Sequence, residues 1–265
     1  MSFSSAYRAK SADQNGFIPF DSSEDAVWHD LMAQQMPGVA RHMARPWLDG
    51  LARLDLPLDR VAQPVDVSAV LRAATGWQVE PVPAVIGFAR FFDMLSRKTF
   101  PAASFLRSRA DFNYIKEPDI FHEIFGHAPL LTDPRFAEFS QAIGRAGARA
   151  EKQDYVWLIR LYWFTIEFGL TRENGQVKAL GSGLASSPTE LSASLLDQNV
   201  ERRPFDVIDI LRTPYRIDIH QPLYYVLEDL DDLFALAGRD LNADIQQARQ
   251  LGLFQPLYPA KSKAS

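Results

Sequence analysis

Apolar residues recur at helical spacing along most of this chain, and only short runs have the pattern of strands. Asp21 and Glu24 match a capping box, which predicts a helix start leading through Trp28. Pro37 predicts the end of that helix. The remaining pattern predicts helices over 38–54, 67–74, 87–97, 134–150, 155–170 and 222–251, and strands over 77–82, 177–180 and 205–211. The fold class we expect is mainly α with a few short β-strands.

The same pattern predicts the domain organisation. The first residues are polar, so we expect 1–20 to be a loosely ordered segment. No break in composition divides the chain after residue 20, and we expect a single catalytic domain over 21–258. A polar tail is expected over 259–265.

Composition excludes several classes of protein. The net charge of −5 and the lack of a basic stripe argue against nucleic-acid partners. The chain has no cysteine, which excludes disulfides, thiolate zinc sites and iron–sulfur clusters. No signal-like apolar start and no run as long as a membrane span is found, so we expect no membrane partner and a cytoplasmic location.

Two of the five histidines, His122 and His127, lie within the short segment EPDIFHEIFGH at 117–127. On an α-helix these two side chains would point about 140° apart at 3.6 residues per turn. Gly126 offers a solution, because it can end the helix in a left-handed conformation and let His127 turn back. Asp119, three residues before His122, could orient an imidazole. Two buried core histidines remain the alternative to a metal site.

A carboxylate is the third candidate ligand. Glu167 interrupts a strongly apolar helical run forty residues after His127, and a buried charge needs a partner or a metal. An ion pair with Arg160, two turns earlier, is the alternative. Two imidazoles and one carboxylate are the ligand set of non-haem Fe(II) oxygenases, which leave one face of the metal open.

Four segments carry a family resemblance. They are EPDIFHEIFGH with the residues up to Leu131, LYWFTIEFGL at 161–170, GSGLASS at 181–187 and QPLYYV at 221–226. In collinear order, from about residue 83 to 236, they resemble the pterin-dependent aromatic amino acid hydroxylases. The chain is most similar to the short bacterial members, which hydroxylate phenylalanine.

The resemblance implies a fold and an activity. The fold would be the catalytic domain of the aromatic amino acid hydroxylases, with Fe(II) held by His122, His127 and Glu167. A tetrahydropterin and O2 would be cosubstrates, and L-phenylalanine would be converted to L-tyrosine. Hydroxylation of tryptophan or tyrosine by the same machinery, or a non-catalytic metal-binding protein of this fold, are the alternatives.

The resemblance also implies roles for residues that bind the substrate. Arg107 would clamp the carboxylate of the amino acid, and Asp119 would steady the guanidinium. Taken alone, Arg107 would be an ordinary exposed arginine at a strand end. Trp163 and Pro118 would form walls beside the ring of the substrate. Gly183 and Ser186 would contact its amino acid end.

A second group would bind the pterin. Phe91 would stack on it, and Val85 and Ile86 would contact it through their backbone. Glu123 would face it, often through water. Without the resemblance, Phe91 would be helix core and Glu123 a solvated helix residue.

Departures from the family limit what can be transferred. Ile115 stands where animal members have a threonine near the substrate carboxylate. The segment before residue 80 is too short for the animal regulatory domain, and no long heptad tail for tetramers follows the last helix, so we expect a monomer. Pterin-recycling enzymes would be functional partners. Trp163 and Ile217 would favour phenylalanine over the larger or more polar amino acids.

Overall fold

Helices dominate the protein, as the sequence predicts. The computed structural model describes residues 7–83, 86–113 and 115–258. Its α-helices are α1 (Ser22–His42), α2 (Arg45–Leu54), α3 (Pro64–Thr75), α4 (Phe88–Ser96), α5 (Ala128–Leu131), α6 (Pro134–Arg149), α7 (Tyr155–Tyr162), α8 (Ser182–Ala185), α9 (Pro188–Leu196), α10 (Val207–Arg212), α11 (Leu230–Ala235) and α12 (Leu241–Leu251). Its strands are β1 (Gln78–Val82), β2 (Thr99–Ala103), β3 (Leu170–Glu173), β4 (Gln176–Ala179), β5 (Glu201–Pro204) and β6 (Leu223–Leu227).

The first helix begins where the sequence predicts and continues past its expected end. Asp21 and Glu24 form the capping box. Pro37, however, lies inside α1, so the predicted end there and the predicted helix start at residue 38 are wrong. Trp28 and Val39 are fully buried on either side of the proline. Burial of such side chains offsets the roughly 3 kcal/mol that an internal proline costs.

Short strands form two small sheets. β1 and β2 pair in parallel, and the second sheet has the order β4-β3-β6-β5. β3 and β4 form an antiparallel hairpin, while β6 runs parallel to both β3 and β5. Asn174 and Gly175 both have positive φ at the hairpin tip, as a tight two-residue turn requires.

Two secondary-structure predictions in the C-terminal half are wrong. The segment 205–211, predicted as a strand, contains the helix α10, which Asp206 caps by accepting a hydrogen bond from Asp209 N–H. The segment 222–251, predicted as one helix, contains β6 followed by α11 and α12. All five residues of β6 are buried, and a short apolar run of that kind has no periodicity that separates strand from helix.

Close packing against α2 positions the segment that carries the two histidines. A Cβ atom on Gly50 would lie only 2.0 Å from the backbone oxygen of Pro129 in α5, so only glycine permits this approach. The buried indole of Trp47 donates a hydrogen bond to the backbone oxygen of Gly126, at 2.9 Å. The backbone between the histidines is therefore held directly by α2.

Buried apolar side chains form one continuous core. It extends from Ile18 to Ala248, and the backbone N–H of Lys10 bonds to Ser104 O, so the described part of the N-terminal segment contacts the body of the protein. The division into segments 1–20, 21–258 and 259–265 stays a prediction. Among the described helices, none combines the length and the apolarity needed to cross a bilayer.

Candidate metal centre

A π-helical turn brings the two histidines together. The segment His122–His127 is a π-helix, in which backbone hydrogen bonds join residues five apart, and it continues directly into α5. His122 and His127, five residues apart, therefore share one face, and their Nε2 atoms lie 3.2 Å from each other. The widened turn solves the spacing problem that an α-helix would create.

Gly126 has a different role from the one expected. The residues of the described chain with positive φ do not include Gly126, so the predicted left-handed helix end is wrong. A Cβ atom at this position would lie 2.9 Å from the backbone oxygen of Ser182. Gly126 is therefore needed for the close approach of α8, which begins at Ser182.

A second π-helical turn presents the carboxylate. Trp163–Glu167 continues α7 as a π-helix and ends at Glu167. The Glu167 carboxylate lies 2.9 Å from His127 Nε2 through Oε1, and 3.7 Å from His122 Nε2 through Oε2. Arg160 instead donates to the backbone oxygen of Leu211, so the alternative ion pair with Glu167 is not formed. Three candidate ligands separated in sequence thus meet at one point.

Charge at this point suits a divalent metal. Burial lowers the pKa of His122 to about 4, which keeps its imidazole neutral. Burial opposes ionisation of Glu167, yet His127, His122 and the Ser182 hydroxyl together lower the pKa of its carboxyl to about 2. Neutral imidazole and ionised carboxylate are the protonation states that ligate metals.

Outer contacts fix both imidazoles. Nδ1 of His122 lies 2.8 Å from the Ser186 hydroxyl, and Nδ1 of His127 lies 3.2 Å from the Tyr162 hydroxyl. Each ring thus has a partner on the nitrogen that faces away from the cluster, which leaves Nε2 for a metal. Ser186 is predicted to contact the amino acid end of a substrate, but in this structure its hydroxyl bonds to the imidazole.

The Glu123 carboxylate also lies at the cluster, as a fourth possible ligand beside His122, His127 and Glu167. Its carboxylate and the two histidine rings offer ligand atoms that all lie within 4.8 Å of one another. Burial, together with the charges of Glu167 and Asp119, raises the pKa of Glu123 well above its usual value. Because Glu167 contacts His127 directly and the raised pKa of Glu123 disfavours the ionised form that binds metals, Glu167 is the better third ligand.

Arg107 and Asp119 form a buried ion pair beside the cluster. Arg107 Nε and Nη2 donate to the two oxygens of Asp119 at 2.8 and 2.9 Å, and both side chains are almost fully buried. Burial opposes ionisation of Asp119, but the Arg107 guanidinium outweighs it and lowers the pKa of that carboxyl. Arg107 is thus not the exposed arginine of the alternative interpretation.

The sequence suggests that Asp119 orients the imidazole of His122, but the structure shows no hydrogen bond between Asp119 and that ring. Asp119 accepts a hydrogen bond from the backbone N–H of His122 at 3.1 Å. This bond caps the helical segment that starts at residue 120, so Pro118 precedes that segment and does not occupy its first position. Asp119 therefore links the capped helix to Arg107.

Two groups of aromatic side chains lie on or beside the segments that carry the candidate ligands. Trp163 stacks on Tyr215 with ring centres 4.3 Å apart, contacts Phe168 with ring centres 4.5 Å apart and donates from Nε1 to Gln221. Gly183 lies beneath Phe168, where a Cβ atom would come within 2.6 Å of the ring. The indole is thereby held in one orientation.

In the second group, Phe91 contacts Tyr162 edge to face at 5.3 Å, and Tyr162 contacts His127. Phe91 is only partly buried, so it is not simply helix core. Ile86 precedes α4 and is half-buried. Val85 lies outside the described residues.

Sequence reasoning missed three side chains that contact the candidate ligands or Trp163: Tyr162, Ser182 and Gln221. Tyrosine, serine and glutamine are common in helices and loops, and their types alone do not predict a metal site. Tyr162 lies five residues before Glu167, the same spacing as the histidine pair. That repeated spacing was the available signal.

Comparison with known proteins agrees with this geometry. The family described as "biopterin-dependent aromatic amino acid hydroxylase" matches residues 2–250. A phenylalanine-4-hydroxylase from Vibrio cholerae is 48% identical over 97% of this chain and 89% of its own length.

Two solved structures are similar throughout. The apo structure of the cold-active phenylalanine hydroxylase from Colwellia psychrerythraea has a TM-score of 0.93 and 46% identity, covering 98% of this chain and 100% of that one. The phenylalanine hydroxylase from Chromobacterium violaceum, solved with bound oxidised Fe(III), has a TM-score of 0.86 and 33% identity, covering 92% and 91%. The chain therefore belongs to the family of biopterin-dependent aromatic amino acid hydroxylases.

Proposed function

We propose that this protein is a phenylalanine 4-monooxygenase that converts L-phenylalanine to L-tyrosine with Fe(II), a tetrahydropterin and O2. The observation that carries the proposal is the convergence of His122, His127 and Glu167 on one point. Family membership supports it, since relatives named phenylalanine-4-hydroxylase match nearly the whole chain.

The donor set fits ferrous iron. Two imidazole nitrogens and one carboxylate are the ligands of the facial triad, and both rings have outer partners that leave Nε2 available. When bound, the metal brings together O2 and the reducing electrons of the pterin, chemistry that amino acid side chains do not supply. The role of this chain is to position two flat molecules and exclude water around them.

Arg107 is suited to hold the amino acid. Its Nε and Nη2 each donate a hydrogen bond to Asp119. Nη1 has only a long contact of 3.5 Å to Phe112 O. Nη1 is thus the side of the guanidinium that remains for a substrate carboxylate. Trp163, held by its contacts with Tyr215 and Phe168, would form part of the wall around the substrate ring. Pro118, Gly183 and Ser186 would complete this pocket.

The pterin would lie on the opposite side of the cluster. Phe91 presents a partly exposed ring one side chain away from His127, and stacking on it would place the pterin near the metal. Glu123, with its raised pKa, can donate a hydrogen bond as a neutral acid. Ile86 and Val85 would contact the pterin through their backbone.

Selectivity for phenylalanine rests on Trp163. Ile217, the other residue expected to favour phenylalanine, has a side chain that is 57% exposed and forms no buried apolar wall. A locked indole leaves less room for a larger indole substrate. Apolar pockets reject an added hydroxyl by only about 100-fold, so slow hydroxylation of tyrosine is compatible with this function.

We further propose a cytoplasmic monomer that depends on separate pterin-recycling enzymes. One chain can supply Arg107, the cluster ligands and the aromatic walls, which supports a monomer. Light scattering is expected to give the mass of one chain. A stable tetramer on dilution would contradict the monomer and leave the activity untouched.

A competition assay tests the activity. Purified protein is supplied with Fe(II), a tetrahydropterin and equal concentrations of phenylalanine, tyrosine and tryptophan, each with a different isotope label, and the labelled products are separated by chromatography and identified by mass. We expect tyrosine as the main product, with the highest kcat/KM for phenylalanine. The matched control is His122→Ala, which should lose hydroxylation because one ligand is missing. Faster turnover of tryptophan would favour the alternative substrate, and metal binding without turnover of any amino acid would favour a non-catalytic protein.

A further inference from the structure

Gln221 is a buried glutamine whose side-chain amide lies between a backbone loop and the indole of Trp163. Only 2% of the residue is exposed. Its Nε2 donates to the backbone oxygens of Arg216 and Ile219, at 2.8 and 3.0 Å. Both amide protons are used there, so Oε1 faces the other way and accepts a hydrogen bond from Trp163 Nε1 at 3.2 Å. The two carbonyl groups, which can only accept, therefore determine the orientation of the amide.

The backbone of Gln221 is anchored as well. Its N–H donates to Glu190 Oε1 at 2.9 Å, and the same carboxylate oxygen accepts a hydrogen bond from the Tyr224 hydroxyl at 3.0 Å. Glu190 and Tyr224 are both buried, on α9 and β6. Gln221 is thus held at its backbone by a helix and at its side chain by the loop, which gives Oε1 a fixed position.

The indole of Trp163 needs this acceptor because its stacking contact leaves two orientations open. Tyr215 stacks on the indole with ring planes 20° apart, which fixes the plane of the ring. The torsion between an aromatic ring and its Cβ atom has roughly two-fold preferences, so a half-turn keeps that plane. The half-turn exchanges the edge that carries Nε1 with the edge of the six-membered ring. The hydrogen bond to Gln221 distinguishes the two, because only the Nε1 edge has a donor.

The same amide also affects the stacking partner. Tyr215 belongs to the loop between α10 and β6, and Gln221 Nε2 binds that loop at the next residue, Arg216. Gln221 therefore holds the edge of Trp163 directly and acts on its face through the loop. The two effects must be separated by experiment.

We propose that Gln221 is a positioning residue that sets which edge of the Trp163 indole faces the substrate pocket, and thereby favours phenylalanine over tryptophan. Binding sites keep their geometry when the rotamers of their walls are fixed by packing and by hydrogen bonds from behind. A wall that can turn accommodates a larger ring more readily than a fixed one. This inference rests on the proposed function, in which Trp163 forms part of the wall around the substrate ring.

The indole N–H resonance of Trp163 gives a readout that does not depend on turnover. Proton–nitrogen NMR of the protein without iron resolves the indole signals of the five tryptophans, and Trp163→Phe identifies the Trp163 signal by its loss. In Gln221→Met, which has a similar size but no acceptor, this proton signal should move upfield. Gln35→Met is the matched control, since Gln35 is 1% exposed and its amide has no hydrogen-bond partner among the described residues. That variant should leave the Trp163 signal in place.

A double-mutant cycle with the iron-loaded enzyme tests the effect on selectivity. Gln221→Met should raise kcat/KM for tryptophan relative to phenylalanine by about fivefold, the factor set by one neutral hydrogen bond of ordinary strength. The ring of Trp163→Phe has two equivalent edges and no N–H donor. Adding Gln221→Met to that variant should therefore leave the ratio unchanged, whereas an effect through the loop alone would persist.

The outcomes separate the inference from the function beneath it. Circular dichroism verifies the fold of each variant, and Gln221→Leu, which also lacks the acceptor, replaces methionine if that variant does not fold. An unmoved Trp163 signal in Gln221→Met, or an unchanged ratio of the two kcat/KM values, would overturn the positioning role. An equal change of the ratio with and without the indole would also overturn it. A wild-type protein that hydroxylates no aromatic amino acid would overturn the proposed function and the selectivity claim together, while the Trp163 signal would still report on the hydrogen bond.

Discussion

At the residue scale, the buried pair of Arg107 and Asp119 illustrates how one contact serves both stability and binding. Asp119 takes two donors of the guanidinium, accepts the backbone N–H of Arg107 and caps the histidine segment through His122 N–H. A buried pair is strongly destabilising when one partner is removed, because the other charge stays buried. The geometry of Arg107 is therefore tied to the start of the helix that carries His122.

Replacing Arg107 with lysine tests the positioning of the substrate. Lysine keeps the charge but lacks the planar fork, so it cannot bind Asp119 through two nitrogens and present a third to the substrate. We expect KM for phenylalanine to rise at least tenfold, with more pterin oxidised per tyrosine formed. Steady-state kinetics with both products quantified checks this. Unchanged KM and unchanged coupling would show that the amino acid carboxylate binds elsewhere.

Replacing Asp119 with asparagine tests the ion pair through its pH dependence. The folded protein lowers the pKa of Asp119, so the pair stabilises the fold above the ordinary carboxyl pKa and loses this contribution as pH falls through the lowered value. At pH 7 the variant should lose about 3–5 kcal/mol of unfolding free energy. Urea denaturation at neutral and acidic pH should show the difference from wild type shrinking in acid. A difference that is constant with pH would contradict the ionic contribution.

Residue types alone predict part of this site. Residue types and spacing make His122, His127 and Glu167 candidate ligands but leave core histidines and an ion pair with Arg160 as alternatives, and the family resemblance favours the metal site. Ser182 and Tyr162 are not predicted, because a hydroxyl becomes a metal-site partner only through the backbone that places it. The contact of Asp119 is assigned to the wrong atom of His122 for the same reason.

At the element scale, two π-helical turns explain why five-residue spacing forms a metal site. His122–His127 and Trp163–Glu167 are both π-helical, and each presents a ligand at its end. Hydrophobic periodicity predicts helix over these segments but cannot show where one residue is added to a turn. The sequence therefore predicts that the segments are helical, while the widened turns depend on packing against α2 and against the start of α8 at Ser182.

Helix packing also sets the position of Phe91. α4 and α6 approach so closely that a Cβ atom on Gly144 would lie 2.3 Å from the backbone nitrogen of Ser96. A Cβ atom on Gly147 would likewise lie 2.1 Å from the ring of Phe92. Phe91 lies on α4, so its orientation toward Tyr162 depends on these two glycines.

Gly144→Ala tests this packing. Helix propensity favours alanine by about 1 kcal/mol, but the backbone clash should outweigh it and lower the unfolding free energy by about 1–3 kcal/mol. KM for the pterin should rise as α4 shifts. Gly238→Ala is the control, because a Cβ atom there meets nothing within 4 Å, and its stability should change by about 0.5 kcal/mol or less. Equal stability of the two variants, measured by denaturant unfolding, would contradict the close helix approach.

At the scale of the whole molecule, the metal site joins three parts of the chain that are distant in sequence. His127 comes from the π-helical turn before α5, Glu167 from the π-helical turn after α7, and Ser182 from the start of α8. The contact with His127 gives the buried Glu167 carboxylate a polar partner even without a metal. The fold is therefore expected to form first and the metal to add stability afterwards.

Removal of the metal tests this order. A ligand that binds only the native state stabilises it by about 2.7 kcal/mol when its free concentration is about a hundredfold above its Kd. Addition of a chelator to the iron-loaded protein should lower Tm but leave a cooperative unfolding transition. His122→Ala is the control, since it removes a ligand yet keeps the His127–Glu167 contact, and its Tm should not respond to metal or chelator. Loss of cooperative unfolding on chelation would show instead that the metal is required to form the core, as in small metal-dependent domains.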